Sequence, residues 1–400
     1  MQTKDFIELE EKYGAHNYNP LDVVIENGKG VWLFDVEGNK YLDCLAAYSA
    51  VNQGHCHPRI INALKTQAER ITLTSRAFRN DQLPFLYKEL YDLTGYEMTL
   101  PMNSGAEAVE TALKAARKWG HKIKGIEADS GDIIVCSNNF AGRTITTISF
   151  STEEQYKDGF GPFTKGFKVI PFGDSGALEK TIDKNTIAFL VEPIQGEGGV
   201  VVPPDGYLKE CFDICRKNNV LLITDEIQTG LGRTGRLFAH QYENIKPDMV
   251  IIGKALSGGC YPVSAVLSSK DILGVFNPGD HGSTFGGNPL GAAVARESLK
   301  VLIEEKLIEN SRELGEYFIN KLKEIKSKHI KEVRGKGLFI GIELYPEAKG
   351  ARRFCKALMQ KRILCKETHD NVIRIAPPLV ITKGEIDEAL PKIKDVLLMD

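Results

Sequence analysis

Short apolar runs and longer amphipathic stretches alternate through the middle of the chain. Asp132 to Cys136, Ile187 to Glu192, Val220 to Asp225, Met249 to Gly253 and Val263 to Ser268 are short apolar runs, the pattern of buried strands. Ala106 to Trp119 and Gly206 to Asn218 read as helices between them. Such alternation predicts an α/β layer architecture with a mostly parallel central sheet. A long helix is predicted from Asn288-Pro289 to about Lys306. Beyond it the order changes to a helix Ser311 to Ser327, a strand Lys331 to Leu344, a helix Ala351 to Lys361, a strand Asn371 to Ile375 and a helix Lys383 to Leu397. That is a smaller α+β unit. A strand predicted at Val31 to Val36 joins the N-terminal segment to it. The expected organisation is therefore a segment 1–48 packed with the small domain, a large domain 49–287, a connecting helix 288–310 and a small domain 311–400.

Composition narrows the function classes. With 400 residues the chain has room for two domains and a large core. Its 51 basic and 53 acidic residues nearly cancel, which argues for no nucleic-acid partner. No apolar run approaches a membrane span. The first eleven residues hold Asp5, Glu8, Glu10 and Glu11, unlike a signal or transit peptide, so a cytoplasmic location is expected. Eight cysteines are scattered without a CxxC pair, which argues against structural zinc. His55 and His57 flank Cys56 before Pro58, a turn for which a structural role is expected and no metal. The chain has neither a GxxxxGK[ST] loop nor a GxGxxG turn opening a helix after a strand.

The candidate chemistry lies at strand ends. Asp225 closes one apolar run, and Lys254 follows the next in Gly253-Lys254-Ala255-Leu256-Ser257-Gly258-Gly259. A lysine amine can form a Schiff base with the aldehyde of pyridoxal 5'-phosphate, and an aspartate can keep the pyridine nitrogen of that cofactor protonated. Alone, the pair is a weak signal and reads more readily as a surface acid and a surface lysine that never meet; the rest of the chain decides. Asn103-Ser104-Gly105-Ala106-Glu107-Ala108 is a turn at a helix N-terminus, either a phosphate site or an ordinary Ser cap. Phe140 and Arg143 follow a strand; they suit a planar ring and a carboxylate, or a core position and a surface ion pair. Glu192 to Gly199 is a Gly-rich loop in which Glu197 is a ligand contact, an arginine partner or a solvated acid. Gln228 lies one turn from Asp225, where both can face one ring. Ser283 and Thr284 are hydroxyls among glycines, suited to phosphate or to a linker. Arg374 is flanked by apolar strand residues and requires an anion partner.

Together these segments resemble the class III, fold-type-I pyridoxal-phosphate aminotransferases, and within them the ornithine δ-aminotransferases. The resemblance also rests on His16 to Leu21, Tyr48 to His55, Leu73 to Phe78, Asp158 to Phe163 and Ser257 to Ser264. It implies that Lys254 bonds the cofactor and shuttles a proton, that Asp225 pairs with the pyridine nitrogen, and that Gln228 meets the phenolic oxygen. It further implies that Phe140 stacks on the ring and that Gly105 and Ala106 bind phosphate. Ser283 and Thr284 would bind the phosphate from a neighbouring subunit, making a homodimer with shared sites. Tyr48 marks the substrate side. Tyr18 and Arg143 would hold the α-carboxylate of L-ornithine, with Glu197 masking Arg374 until 2-oxoglutarate binds. The implied products are glutamate 5-semialdehyde, which cyclises to pyrroline-5-carboxylate, and L-glutamate. N-acetylornithine or 4-aminobutyrate as amino donor is the neighbouring reading; a decarboxylase, an aminomutase and a catalytically silent scaffold are further ones. Ala141 departs from the bulkier or polar residue expected after the stacking phenylalanine.

Overall fold

The computed structural model describes residues 1–400. Its centre is a seven-stranded sheet in the order Met98–Met102, Ser264–Ser268, Met249–Ile252, Leu221–Asp225, Thr186–Val191, Asp132–Cys136, Phe167–Ile170. Neighbours pair in parallel except around Ser264–Ser268, which is antiparallel to both its partners. The inner strands are apolar along their whole length because both faces are covered. Alternate side chains enter different cores, as the pleat requires. Ile133, Val135, Leu190 and Ile223 pack with Val109, Ala112 and Ala116 of the helix Gly105–Trp119. Ile134, Cys136, Phe189 and Leu222 pack on the other side with Leu208, Cys211 and Cys215 of the helix Tyr207–Lys217. Val250, Ile252, Ala265 and Leu267 join a third core with the helix Pro289–Glu304 and the C-terminal elements.

Both chain ends meet beside this sheet. Ile25–Lys29, Trp32–Asp35 and Lys40–Asp43 form an antiparallel ribbon, to which Ile363–Leu364 adds in parallel. The remaining C-terminal strands form a second four-stranded sheet, Ile330–Lys336, Phe339–Leu344, Val372–Ile375, Lys366–Thr368, covered by the helices Leu307–Lys323, Arg352–Gln360 and Lys383–Leu397. No helix is long and apolar enough to cross a membrane.

The expected single strand Lys331 to Leu344 is a hairpin. It turns at Gly337, with φ +55°, and at this point the helix Leu307–Lys323 presses Gly315 onto the turn. The edge strands Met98–Met102 and Phe167–Ile170 carry no clear alternation and were not anticipated. The helix expected from Ser311 begins earlier, at Leu307.

A Cβ on Gly315 would overlap the Gly337 backbone. Gly315→Ala is expected to cost roughly 3 kcal/mol through overpacking, read as a lower midpoint in urea unfolding with an unchanged slope.

Candidate active site

Three parallel strands deliver acids and an amine to one cleft at their carboxyl ends. Asp225 is the last residue of its strand and only 6 % exposed. Its Oδ1 accepts the Ile227 N–H at 3.0 Å. Burial pushes its carboxyl up to about 7, opposed by that hydrogen bond and by the charge of Lys254. Glu192 follows the adjacent strand. Its two oxygens accept the Phe140 N–H at 3.0 Å and the Gly196 N–H at 3.1 Å, so one carboxylate clamps two loops. Burial, and then repulsion from Asp225, raises it to about 8. Lys254 comes two residues after Ile252 with φ +46°, a left-handed backbone that turns the side chain back over the sheet. Burial, then the positive charge of Arg374, lowers its pKa, while Glu197, Asp225 and Glu192 oppose the shift. A lysine whose pKa is lowered by burial gives up its proton more readily, which favours its use as nucleophile and proton carrier.

The cleft encloses about 210 Å³ and runs from Asp225 and Lys254 to the N-terminus of Gly105–Trp119. Ser104 caps this helix: its Oγ accepts the Glu107 N–H at 3.2 Å, and Glu107 accepts the Ser104 N–H at 2.7 Å. The Gly105 and Ala106 N–H groups precede the first intrahelical bond and line the cleft. The Ser cap is thus formed, and it leaves the Gly105 and Ala106 N–H groups outside the capping bonds. Gly142, at φ +121°, lies so close that a Cβ would come within 2.9 Å of Ala106 Cβ. Phe140 lies on the cleft wall, not in the core.

Arg374 is fully buried in Val372–Ile375. Nη1 donates to Gln228 Oε1 at 2.7 Å and to Glu197 Oε1 at 3.3 Å, and Nη2 donates to Ser49 Oγ at 3.1 Å. Gln228 Nε2 donates to Glu197 at 3.0 Å, which fixes the amide orientation by its partners. Gln228 thus lines the cleft while its amide joins Glu197 to Arg374. The Arg374 guanidinium carbon lies 4.8 Å from the Phe339 ring centre and 5.5 Å from that of Tyr48. Tyr48 also faces Lys254 Nζ at 5.7 Å. Its backbone belongs to a run of four non-glycine residues in the left-handed region, Ala46, Ala47, Tyr48 and Ser49 at φ +49°, +47°, +58° and +70°. Such geometry costs about 1–2 kcal/mol per residue and persists only where surroundings enforce it.

Arg143 is exposed at the rim, its guanidinium 3.5 Å from the Tyr156 ring centre and 5.5 Å from that of Phe140. It stacks on an aromatic and makes no carboxylate pair. Tyr18 is 81 % exposed and lines no part of the Lys254 cleft. Ser283 and Thr284 lie outside their own chain's cleft. Ser283 Oγ accepts from Asn103 at 2.9 Å and from the Gly286 N–H at 3.1 Å. The histidine turn is divided between two acids: His55 meets Asp43 at 2.7 Å and His57 meets Glu305 at 3.1 Å. Glu192, Tyr156 and Ser49 are additions to the residues expected from sequence. Glu192 could have been found by its position, since it ends a buried run as Asp225 does; Tyr156 and Ser49 carry no local signal.

A family model described as aminotransferase class-III matches residues 13–397. The chain belongs to the class III aminotransferases. It is 61% identical to the ornithine aminotransferase of Geobacillus sp. (strain WCH70) over 395 residues, covering 99% of this chain and 98% of the relative. The solved ornithine aminotransferase of Toxoplasma gondii ME49 superposes with a TM-score of 0.98 at 48% identity, covering 99% of this chain and 95% of that one. An acetylornithine aminotransferase from Elizabethkingia anophelis superposes with a TM-score of 0.91, also at 48% identity, with 99% of both chains covered. Class III aminotransferases depend on pyridoxal 5'-phosphate, and the cleft fits this group. A buried acid, an amine, an aromatic side chain and the first residues of a helix line the same cavity, the kinds of group that this cofactor's ring nitrogen, aldehyde, ring face and phosphate call for.

The raised carboxyls predict a pH dependence for the cofactor-free protein. Asp225 and Glu192 bind protons more tightly folded than unfolded, so their contribution to stability falls as pH rises from the ordinary carboxylate range to about 8. Lys254, lowered by folding, contributes in the opposite sense, its penalty fading as pH rises towards 10.5. The apo double variant Glu192→Gln, Asp225→Asn is expected to lose less Tm than apo wild type between about pH 5 and about pH 8, measured by thermal melts across this range.

Proposed function

We propose that this chain transfers the δ-amino group of L-ornithine to 2-oxoglutarate, giving glutamate 5-semialdehyde and L-glutamate. The observation that carries this reading is Arg374, a buried guanidinium whose only acidic partner is Glu197 at 3.3 Å. The two substrates make opposite demands on one site. Ornithine brings a single carboxylate and reacts at the amine farthest from it. 2-Oxoglutarate brings two carboxylates and reacts at the carbon next to one of them. An arginine neutralised by a local carboxylate for the first, and freed for the second, meets both demands. The full-length likeness to ornithine aminotransferases supports the same substrate.

When bound, pyridoxal phosphate supplies an aldehyde carbon that takes the amine and a cationic ring that accepts the electrons left by a departing proton. The residues act around it. Asp225 keeps a negative charge against the ring nitrogen. Phe140 holds the ring face. The Gly105 and Ala106 N–H groups anchor the phosphate. Lys254 would take the proton from the amine-bearing carbon of the substrate and deliver it to the cofactor's former aldehyde carbon, on the other side of the shared nitrogen. Arg143 and Tyr18 hold the ornithine α-carboxylate, so the δ-amine faces Lys254. Arg374 then takes the α-carboxylate of 2-oxoglutarate or glutamate, and Arg143 its γ-carboxylate. Ser283 and Thr284, which lie outside their own cleft, reach the phosphate of a second copy, so the working unit is a homodimer.

Transfer from N-acetylornithine is the second reading, favoured by the Elizabethkingia anophelis structure at equal identity. The experiment is the visible spectrum of the cofactor-loaded protein on adding L-ornithine, N-acetylornithine or 4-aminobutyrate without a keto acid. Rapid loss of the bound cofactor's visible band with ornithine alone, and trapping of pyrroline-5-carboxylate, is the expected result; a response confined to another amine would overturn the substrate. Arg374→Ala is expected to slow the 2-oxoglutarate half-reaction roughly a hundredfold or more while the ornithine half-reaction proceeds, measured by stopped-flow.

A further inference from the structure

We propose that Asp43 is a positioning residue for the Arg374 side of the site, acting through the left-handed turn at 46–49. The inference rests on the reading of Arg374 as the 2-oxoglutarate arginine. Asp43 lines no part of the Lys254 cleft. It ends the strand Lys40–Asp43, held between Trp32–Asp35 and Ile363–Leu364. Its carboxylate is used from both oxygens. Oδ1 accepts the Leu45 N–H at 2.8 Å and the Ala46 N–H at 2.9 Å, and Oδ2 lies 2.7 Å from His55 Nε2. His55 is itself pinned, since its backbone exchanges two hydrogen bonds with Gly30, at 2.8 and 3.0 Å.

The entry to the turn is therefore fixed by one buried acid. The exit is fixed by the Ala46 carbonyl, which accepts the N–H groups of Ala50 at 2.8 Å and Val51 at 3.0 Å. Ala46 thus takes part in both. Between entry and exit lie Tyr48 and Ser49, the two residues of the turn that face Arg374. Four consecutive side-chain-bearing residues with positive φ have an ordinary right-handed or extended alternative at lower local energy. Two charge-assisted hydrogen bonds, donated by the Leu45 and Ala46 N–H groups to Asp43, oppose that relaxation. Without them the turn unwinds, Ser49 Oγ leaves Nη2, and the Tyr48 ring no longer fixes the guanidinium plane. The loss falls on the step in which Arg374 must receive a carboxylate. The ornithine step, in which Glu197 covers Arg374, is less exposed to it.

The test compares both half-reactions of cofactor-loaded Asp43→Ala and Asp43→Asn with wild type, with crystal structures of each. Asp43→Ala is expected to raise the half-saturating concentration of 2-oxoglutarate about tenfold, and to change the ornithine half-reaction less than about threefold. Asparagine keeps an oxygen for the two N–H groups, so Asp43→Asn is expected to return to within about twofold of wild type. Proportionate loss in both half-reactions, or no loss in either, overturns the proposal. Should Asp43→Ala not fold, Asp43→Ser, a weaker cap, carries the same comparison. Arg374→Ala measured alongside separates the two ideas. If it spares the 2-oxoglutarate step, the reading of Arg374 fails, and the Asp43→Ala crystal structure then decides: residues 46–49 displaced from positive φ support the positioning role, and an unmoved turn overturns it.

Discussion

The buried charge of Arg374 is the constraint around which the two sheets are joined. A guanidinium removed from water is expensive unless its donors are met. Here they are met by groups from three distant stretches: Ser49 beside the N-terminal ribbon, Glu197 after the Thr186–Val191 strand, and Gln228 after the Leu221–Asp225 strand. None of these stretches could relax independently without leaving a guanidinium N–H of Arg374 unmet. Packing alone brings the sheets together; the arginine fixes how they are aligned where the cleft opens. Its Nε is buried without a partner, so the cluster is not fully satisfied even here. The buried Arg233 leaves its Nε unmet as well, so what sets Arg374 apart is the kind of acceptor it meets and not an unpaired N–H.

Arg233 shows the contrasting solution a short distance away. It too is fully buried, but its partners are neutral: the Leu338 carbonyl at 2.9 Å, the Pro377 carbonyl at 2.6 Å and Asn52 Oδ1 at 2.6 Å. Burial, then the charge of Arg374, lowers it to about 9. Backbone carbonyls cannot swing away, so Arg233 braces the segments around 52, 338 and 377 permanently. Arg374 has a carboxylate on a glycine-rich loop and an amide side chain, both able to rotate. The chemistry of the partner, backbone carbonyl for Arg233 and carboxylate for Arg374, is what supports the proposal that Arg374 is the one to exchange its partner for a substrate.

Much of this was legible in the sequence, and the reasons differ residue by residue. The inner strands read clearly because both faces are covered and the runs are apolar throughout. Asp225 and Lys254 stood out because polar residues directly after such runs fall at the carboxyl edge of a parallel sheet, where open α/β folds bind ligands. Arg374 was conspicuous for the opposite reason, as a charge inside an apolar strand. The edge strands escaped notice because an edge needs neither a continuous nor an alternating pattern: Val169 is 46 % exposed within Phe167–Ile170. The Lys331 to Leu344 hairpin was missed because its turn is a single glycine-leucine step between two β-rich runs. Tyr156 and the 46–49 turn were illegible for a deeper reason. Nothing in Leu-Ala-Ala-Tyr-Ser-Ala indicates a left-handed run, since alanine and tyrosine disfavour it; the conformation is imposed by Asp43, His55 and the strands on either side.

That imposed turn and the perturbed ionisations of the cleft are two forms of one expense. Burial disfavours the charged forms of Asp225, Glu192 and Lys254 alike. Residues 46–49 are held away from their ordinary backbone basin. Neither makes sense as a stability device, because each raises the free energy of the folded chain. Both make sense as preorganisation: the cost is met during folding by the three apolar cores, so it need not be met again when substrate binds. In the role proposed for Asp225, a ring nitrogen held protonated would turn a disfavoured anion into half of an ion pair and relieve that cost on binding.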